Sequence, residues 1–543
     1  MSRTNPAILF GFFVAIIVAM CVPSLALGNL YLGKHEGDTL HLLQIVLRMA
    51  SGQWPHLDFM TPIGVLAFAP ISLFVTLGFG AGMSIILGQA LVATVLLPAV
   101  WWAAYSRMQG LTPYLFGLFV LVLATALVHG EAQRSVSISM HYNRWAWAVA
   151  FVAIVLAVVP NKGPARPNID GFIIGAALAA LALTKITYFA AFALPIGLAL
   201  LLRRSFRAFL VAGLTGLVIA IAVTLMAGVG YWQAYLQDLL IVSTSQLRTQ
   251  PSDSLSAVVG APAYLAGSMV ALAAVIFLRQ SGEAIGGLIL LLLVPGFFYV
   301  TFQNFGNDPQ WLLLLGILLL CFRPESDLRN GLGWEMRSAI KVTVGVVFAL
   351  SAASFFNLAY SPFRHLNTKY EDYTPLLPNS GVNRDILAAK IRVDNMDVRV
   401  PLDIAGLTVP ANDPDDTRSE LPQVNGETLP RCELLLGYVT FLNGIAQDLE
   451  QAGFAQGRRI MAADLFSNYW MFGSSEPLEK GAPWYYGGLP GIASADYLLV
   501  PFCPILQEAQ TQILNNVDAA GYTLTELRRT DLYILFDIQE PPG

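Results

Sequence analysis

Charge is what this chain has least of. Only 12% of its 543 residues are Asp, Glu, Lys or Arg, against roughly one quarter in soluble domains. That scarcity, with long apolar runs and a mean hydropathy of +0.60, excludes a soluble protein and implies an integral membrane one. Cysteine is also sparse. There are four, without a CxxC or a His/Cys spacing that suits a metal. No Gly-rich phosphate fingerprint follows a strand, and no basic stripe suits nucleic acid, which is excluded as a partner. Internal repeats and low-complexity segments are missing as well. So are the paired, Gly/Pro-broken halves expected of a transporter.

The charge that is present is unevenly placed. Residues 358–543 hold 13 basic and 24 acidic side chains, whereas residues 1–357 hold 18 and 12. This divides the chain into a membrane body (1–357) and an acidic soluble region (358–543). The hydropathy predicts eleven spans. The first is Ala7 to Leu27, read as an uncleaved span and not a signal peptide. Then come Met83 to Tyr105, Pro113 to Val128, Trp145 to Val159, Gly171 to Leu183, Thr187 to Leu202 and Phe206 to Val229. The last four are Ala261 to Phe277, Ala284 to Phe302, Gln310 to Phe322 and Ala339 to Phe356. Ile63 to Leu77, entered at Pro62 and left through "GFGAG", reads as a helix that does not cross. With the N-terminus inside, 12 basic residues fall in inner loops (Arg3 among them) and 5 on the other side (Arg248 among them). That split predicts a cytoplasmic N-terminus, with the C-terminal region on the outer, oxidising side. Cys432 and Cys503, both in that oxidising compartment, are then expected to pair. From Tyr438 onward, Phe441 to Ala452 and Ile505 to Ala520 read as helices. Arg459 to Ala463, Tyr497 to Pro501 and Leu532 to Phe536 read as strands, giving a small α/β domain.

The unusual polar residues gather on the outer side. The first outer loop, residues 28–82, contains "GKHEGDTLHLLQIVLRMASGQWPHLDFMTPIG" with Glu36, Asp38, His56 and Asp58. Leu40, Leu43, Val46, Leu47 and Ala50 recur at helical spacing, which predicts an amphipathic helix from Thr39 lying flat on the bilayer, capped by Asp38 or Thr39. A solvated loop with a capping Asp is the plainer reading. The next outer loop, Val128 to Arg144, carries His129, Glu131, Arg134, His141, Asn143 and Arg144. Lys185 interrupts an apolar stretch too long for one crossing, so it is expected at a turn on the outer surface. A snorkelling interfacial lysine is its plainer reading. "FQNFGNDPQW", with Asn304, Asn307, Asp308 and Gln310, is a further outer loop suited to sugar hydroxyls or to a polar turn.

The first loop resembles that of the GT-C glycosyltransferases, polytopic enzymes that take a sugar from a polyprenyl-phosphate carrier. Its family pattern is "DEG…G-x-x-P-Y-R-D-F…P". Here Glu36-Gly37, Gly52, Pro55, Asp58-Phe59 and Pro62 match it, while His35 replaces the leading Asp and His56-Leu57 replaces "YR". The resemblance implies an α-helical polytopic protein of the bacterial inner membrane, mannosyltransferase- or arabinosyltransferase-like, which makes the outer side, with the C-terminal α/β domain, periplasmic. It implies a polyprenyl-phosphate-linked sugar donor, a glycan, lipid or protein acceptor in the cell envelope, and membrane lipids around the helices. Asp38, Glu36 and Asp58 are the catalytic candidates, with Asp38 favoured as general base. Arg144, His141, Lys185 and His56 are the candidates for binding substrate or phosphate, since a guanidinium fork matches phosphate oxygens. The resemblance makes no cofactor certain and leaves a divalent metal open. A glycolipid transporter or flippase is the alternative function.

Overall fold

In a computed structural model, residues 4–131, 133–247, 254, 256, 261–303, 308–324, 328–400 and 421–540 are described. Arg3, Arg248, Asn304 and Asn307 lie outside the described residues. Helix α1 (Pro6–Leu27) starts under an Asn5 side chain that accepts the Ala7 and Ile8 N–H groups, and ends at Gly28 with φ 68°. Asn at the cap and Gly just past the end satisfy the orphan backbone groups of both termini. A three-residue strand, β1 (Leu30–Leu32), leads into α2 (Glu36–Ala50). Ile63 to Leu77 becomes a turn of 3-10 helix and the eight-residue α3 (Ala69–Thr76), too short to cross, as expected from its flanking prolines and glycines.

The membrane body continues with α4 (Ala81–Arg107), α5 (Thr112–Thr125), α6 (His141–Val158), α7 (Pro167–Thr184), α8 (Ile186–Leu202) and α9 (Phe206–Ala227). After α10 (Gly230–Thr244) come α11 (Pro262–Gln280), α12 (Ala284–Gln303), α13 (Trp311–Phe322) and α14 (Met336–Leu366). Eight described helices are long and apolar enough to cross a membrane, and α5, α8 and α13 are shorter apolar helices. Together they coincide one for one with the eleven predicted spans. The chain is an integral membrane protein. Helix α10 was not predicted. Its Asp238 and aromatic residues break the hydropathy that marks a span.

Close packing of α7 on α9 depends on small residues. A Cβ on Gly175 would lie 2.3 Å from the Ala212 carbonyl oxygen, the approach that small residues permit between membrane helices.

The C-terminal region does not stand apart. Helix α14 runs to Leu366, past the expected boundary at 357, and β3 (Ile386–Ala389) pairs in parallel with β1 of the first loop. Strand β2 (Tyr373–Pro375) completes that sheet on the other side of β3. A second sheet has the order β6–β7–β5–β4, formed by β4 (Ile460–Ala462), β5 (Tyr497–Pro501), β6 (Thr523–Arg529) and β7 (Tyr533–Gln539). The helix α15 (Lys390–Val393), α16 (Tyr438–Gln451) and α17 (Gln507–Ala519) accompany the strands. Cys432 and Cys503 are disulfide-bonded across 71 residues. One apolar core is shared by α2, α3 and the C-terminal region, with Leu43, Ile71, Leu434 and Ile445 all fully buried in it.

Candidate active site

Helix α2 begins three residues earlier than the periodicity suggests. Its N-cap is His35, in the left-handed region at φ 62° and with no side-chain capping bond, so neither Asp38 nor Thr39 is the cap. Nor does the helix lie open on a bilayer surface. Glu36, Thr39, Gln44 and Arg48 are buried along with its apolar residues, because α3 covers one face and the C-terminal region another. Gln44 donates to the Pro483 carbonyl (3.0 Å) and Arg48 to that of Leu478 (2.7 Å).

The three carboxylates of the loop separate. Glu36, 1% exposed, is held by a two-pronged ion pair with Arg392 of α15 (2.7 and 2.9 Å). Both its oxygens are engaged, which makes it a clamp between the loop and the C-terminal region. Asp58 closes a turn, accepting the Trp54 N–H at 2.6 Å. Asp38 alone points toward the second loop, where it accepts a hydrogen bond from Ser139 at 2.5 Å. Asp38 and His41 line a small cavity with Phe68, Ile138, Met140, His141 and Tyr142. At about 20 Å³ it holds about one water.

The phosphate candidates separate too. Lys185 sits in an extended break between α7 and α8, and its ammonium lies 5.1 Å from the centre of the Tyr142 ring. It therefore borders the Asp38 cavity through Tyr142. Gly64 brings the α3 segment against this break: its N–H donates to the Thr184 carbonyl, and a Cβ there would come within 2.2 Å of the Leu183 oxygen. His141 is buried and donates from Nε2 to the Ala67 carbonyl (2.8 Å), tying α6 to the non-crossing segment. Arg144 is 2% exposed. One of its nitrogens donates to the Ala126 carbonyl, while Nε and Nη1 have no hydrogen-bond partner among the described residues. His56 is elsewhere, bonded to Asp238 of α10 at 2.8 Å and stacked on Tyr235. It anchors α10 to the loop.

A histidine pair joins the two loops. His35 meets Ser137 at 2.8 Å, and its ring packs on that of buried His129, centroids 5.1 Å apart. Burial pushes His35 down to about 4 and His129 to about 3, helped by the positive charge of Lys34 beside both, Arg392 near His35 and Arg144 near His129. Both rings are neutral at neutral pH. Three of the non-glycine residues with positive φ, His35, His56 and Met140, lie in these two loops. Such strain is held where surrounding structure over-determines it, often at functional sites.

Ser139, Tyr142 and Arg392 were not anticipated. Nothing in a sequence marks the long-range partner of Glu36. Ser139, in the alternating "SVSISM", carried only a weak signal. The loop before α13 has a packing role: Gln310 donates to the Gly130 carbonyl at 2.7 Å, and Asp308 donates to the same oxygen through its backbone N–H. Among the described residues no three His, Cys, Asp or Glu side chains are grouped to hold a metal.

An apolar groove of about 510 Å³ runs between α7, α8 and α9. Leu183 and Ile186, either side of Lys185, line it, as does Trp232.

No protein-family model matches this chain, and no curated protein matches it. A cryo-EM structure of the arabinofuranosyltransferase AftD from mycobacteria superposes at a TM-score of 0.42 and 13% identity. It covers 99% of this chain and 40% of the other, so the chain spans about two fifths of that protein's length. A likeness that distant decides nothing about the chemistry, which rests on the residues.

Proposed function

We propose that this protein is a membrane glycosyltransferase of GT-C type, moving a sugar from a polyprenyl-phosphate donor to a cell-envelope acceptor on the periplasmic face. One observation carries the reading. Asp38 from the first loop and Tyr142 from the second share one cavity, with Lys185 against Tyr142. In the reaction, Asp38 takes the proton of an acceptor hydroxyl whose oxygen attacks the anomeric carbon. The bond from that carbon to the phosphate oxygen breaks with inversion, and the phosphate leaves as an anion. Lys185 supplies the positive charge that steadies the leaving group. Ser139 fixes the Asp38 oxygen that does not take the proton. The groove at Lys185 suits the isoprenoid chain, whose apolar length needs no polar partner.

The groove equally suits a glycolipid flippase, which would bind the same chain without breaking a bond. Mass spectrometry of envelope glycans and lipid-linked sugars in a deletion strain separates the two. The transferase reading expects one sugar to vanish from the envelope while its lipid-linked form accumulates on the periplasmic side. Accumulation on the cytoplasmic side alone would support the flippase and sink the transferase.

A further inference from the structure

The far end of the helix bundle holds a second cavity that the proposed reaction does not use. Helices α6 and α7 each run from the Asp38 end to this end. At 1.5 Å per residue the 18 residues of α7 separate the two by about 27 Å. The cavity is about 400 Å³, and its wall includes Arg107, Asn161, Asp170, Arg203, Arg204 and Arg207.

Its charges are not all spoken for. Arg107 is 2% exposed and neutralised by Asp170 at 2.8 Å. Arg203 lies over the Phe322 ring at 5.5 Å with Glu283 as the nearby carboxylate. Its Nε and Nη2 are buried without a hydrogen-bond partner among the described residues. Arg207 donates to the neutral Asn168 at 2.7 Å and has no carboxylate partner among the described residues. Arg204 is exposed and holds the tight turn between α8 and α9 with φ 55°, a conformation that glycine adopts at no steric cost. Four arginines thus face two carboxylates. Ser205, Phe206, Arg207 and Ala208 put the first turn of α9, with no side-chain cap, on the same wall. That turn adds backbone N–H groups and the positive end of the helix dipole.

The neighbouring surface is apolar. Leu201, Leu202, Phe206, Phe209 and Leu210 are exposed around the mouth, Phe206 by 57% and Leu210 by 64%. A basic pocket between membrane helices, with acyl-chain surface beside it, matches an anionic lipid: phosphate inward, chains outward. We propose that the cavity between α4, α6, α7, α8 and α9 binds the phosphate headgroup of an anionic phospholipid from the leaflet opposite the Asp38 site. Arg203, Arg204 and Arg207 are its contacts, and Arg107 with Asp170 forms its floor. This inference is independent of the transferase reading.

The test uses the full-length protein in neutral detergent, titrated with mixed micelles containing phosphatidylglycerol or phosphatidylcholine, and separately with inorganic phosphate. Retained lipid is read by native mass spectrometry and stabilisation by the melting midpoint. The expected result is selective retention of phosphatidylglycerol with a raised midpoint. R203Q/R204Q/R207Q should weaken that binding about 100-fold, at the usual strength of surface arginines toward anionic headgroups. R203K/R204K/R207K, which keeps the charge, should still bind, and this guards against a triple variant that merely misfolds. Equal retention of both lipids overturns the proposal, as does unchanged phosphatidylglycerol binding by the glutamine variant. Protection by inorganic phosphate with no lipid preference makes the site one for a soluble anion and overturns the lipid assignment.

Discussion

The two ends of the helix bundle house their charged residues differently. At the Asp38 end lie carboxylates, neutral imidazoles and a cavity of about 20 Å³ between the first two loops. At the other end are arginines around an open cavity of about 400 Å³. The same helices, α6 and α7, reach both. The difference teaches that the polar residues at the Asp38 end cannot be explained as interfacial decoration. Decoration would be solvated, as Arg204 and Arg207 are, whereas Glu36, His129, His141 and Arg144 are buried at a desolvation cost. Exposed arginines such as Arg204 and Arg207 carry little such cost, and the buried Arg107 is paired with Asp170.

That contrast can be broken at its strongest join. Arg392→Ala leaves the buried Glu36 carboxylate without its partner. Removing one member of a buried pair costs about 3–5 kcal/mol, and the lower end applies here because the Arg392 side chain is 32% exposed. The expected outcome is a lowered melting midpoint and early proteolysis between residues 366 and 386. Wild-type values for both would mean that the C-terminal region does not clamp the first loop.

A smaller effect concerns protons. His35 and His129 stay neutral in the folded protein down to about 4 and about 3, whereas in the unfolded chain they take up protons near 6.5. Their contribution to stability is therefore complete above about pH 6.5 and is lost as pH falls toward those values, by at most about 1.4 kcal/mol per pH unit per group. Asp464 opposes them. Its burial raises its carboxyl to about 7, so its contribution is lost as pH rises from about 4 to 7. Replacing His129 by Phe removes one histidine and leaves Asp464 in place. Between pH 6.5 and 4.5 the variant's melting midpoint should fall less steeply than wild type. Parallel slopes would contradict a neutral, buried His129.

Much of this architecture is legible in the sequence. All eleven apolar segments are found because hydropathy writes a span locally, residue by residue. The non-crossing Ile63 to Leu77 is betrayed by the prolines and glycines at its ends, and the strand Tyr497–Pro501 by its apolar β-rich run. What fails is long-range. Leu30 pairs with Ile386 and Glu36 with Arg392, and neither partnership has a local signature. The amphipathic period of α2 is real. Its polar side is covered by protein, a fact held by Gln44–Pro483 and Arg48–Leu478 and by nothing in the helix itself. Asp38 is favoured over Glu36 and Asp58 in the sequence already, but the engagement of Glu36 by Arg392 and of Asp58 by the Trp54 N–H is visible only in three dimensions.

The most direct test is sugar transfer by the purified protein in lipid nanodiscs, comparing Asp38→Asn with Glu36→Gln and the wild type on a polyprenyl-phosphate sugar donor. Loss of a general base costs about 10²–10⁴ in rate. Asp38→Asn should therefore lose transfer by that factor while its melting midpoint stays near wild type. Glu36→Gln should instead lower the midpoint first, since its carboxylate serves the Arg392 clamp. Near-normal transfer by Asp38→Asn would contradict the assignment of the chemistry to this cavity.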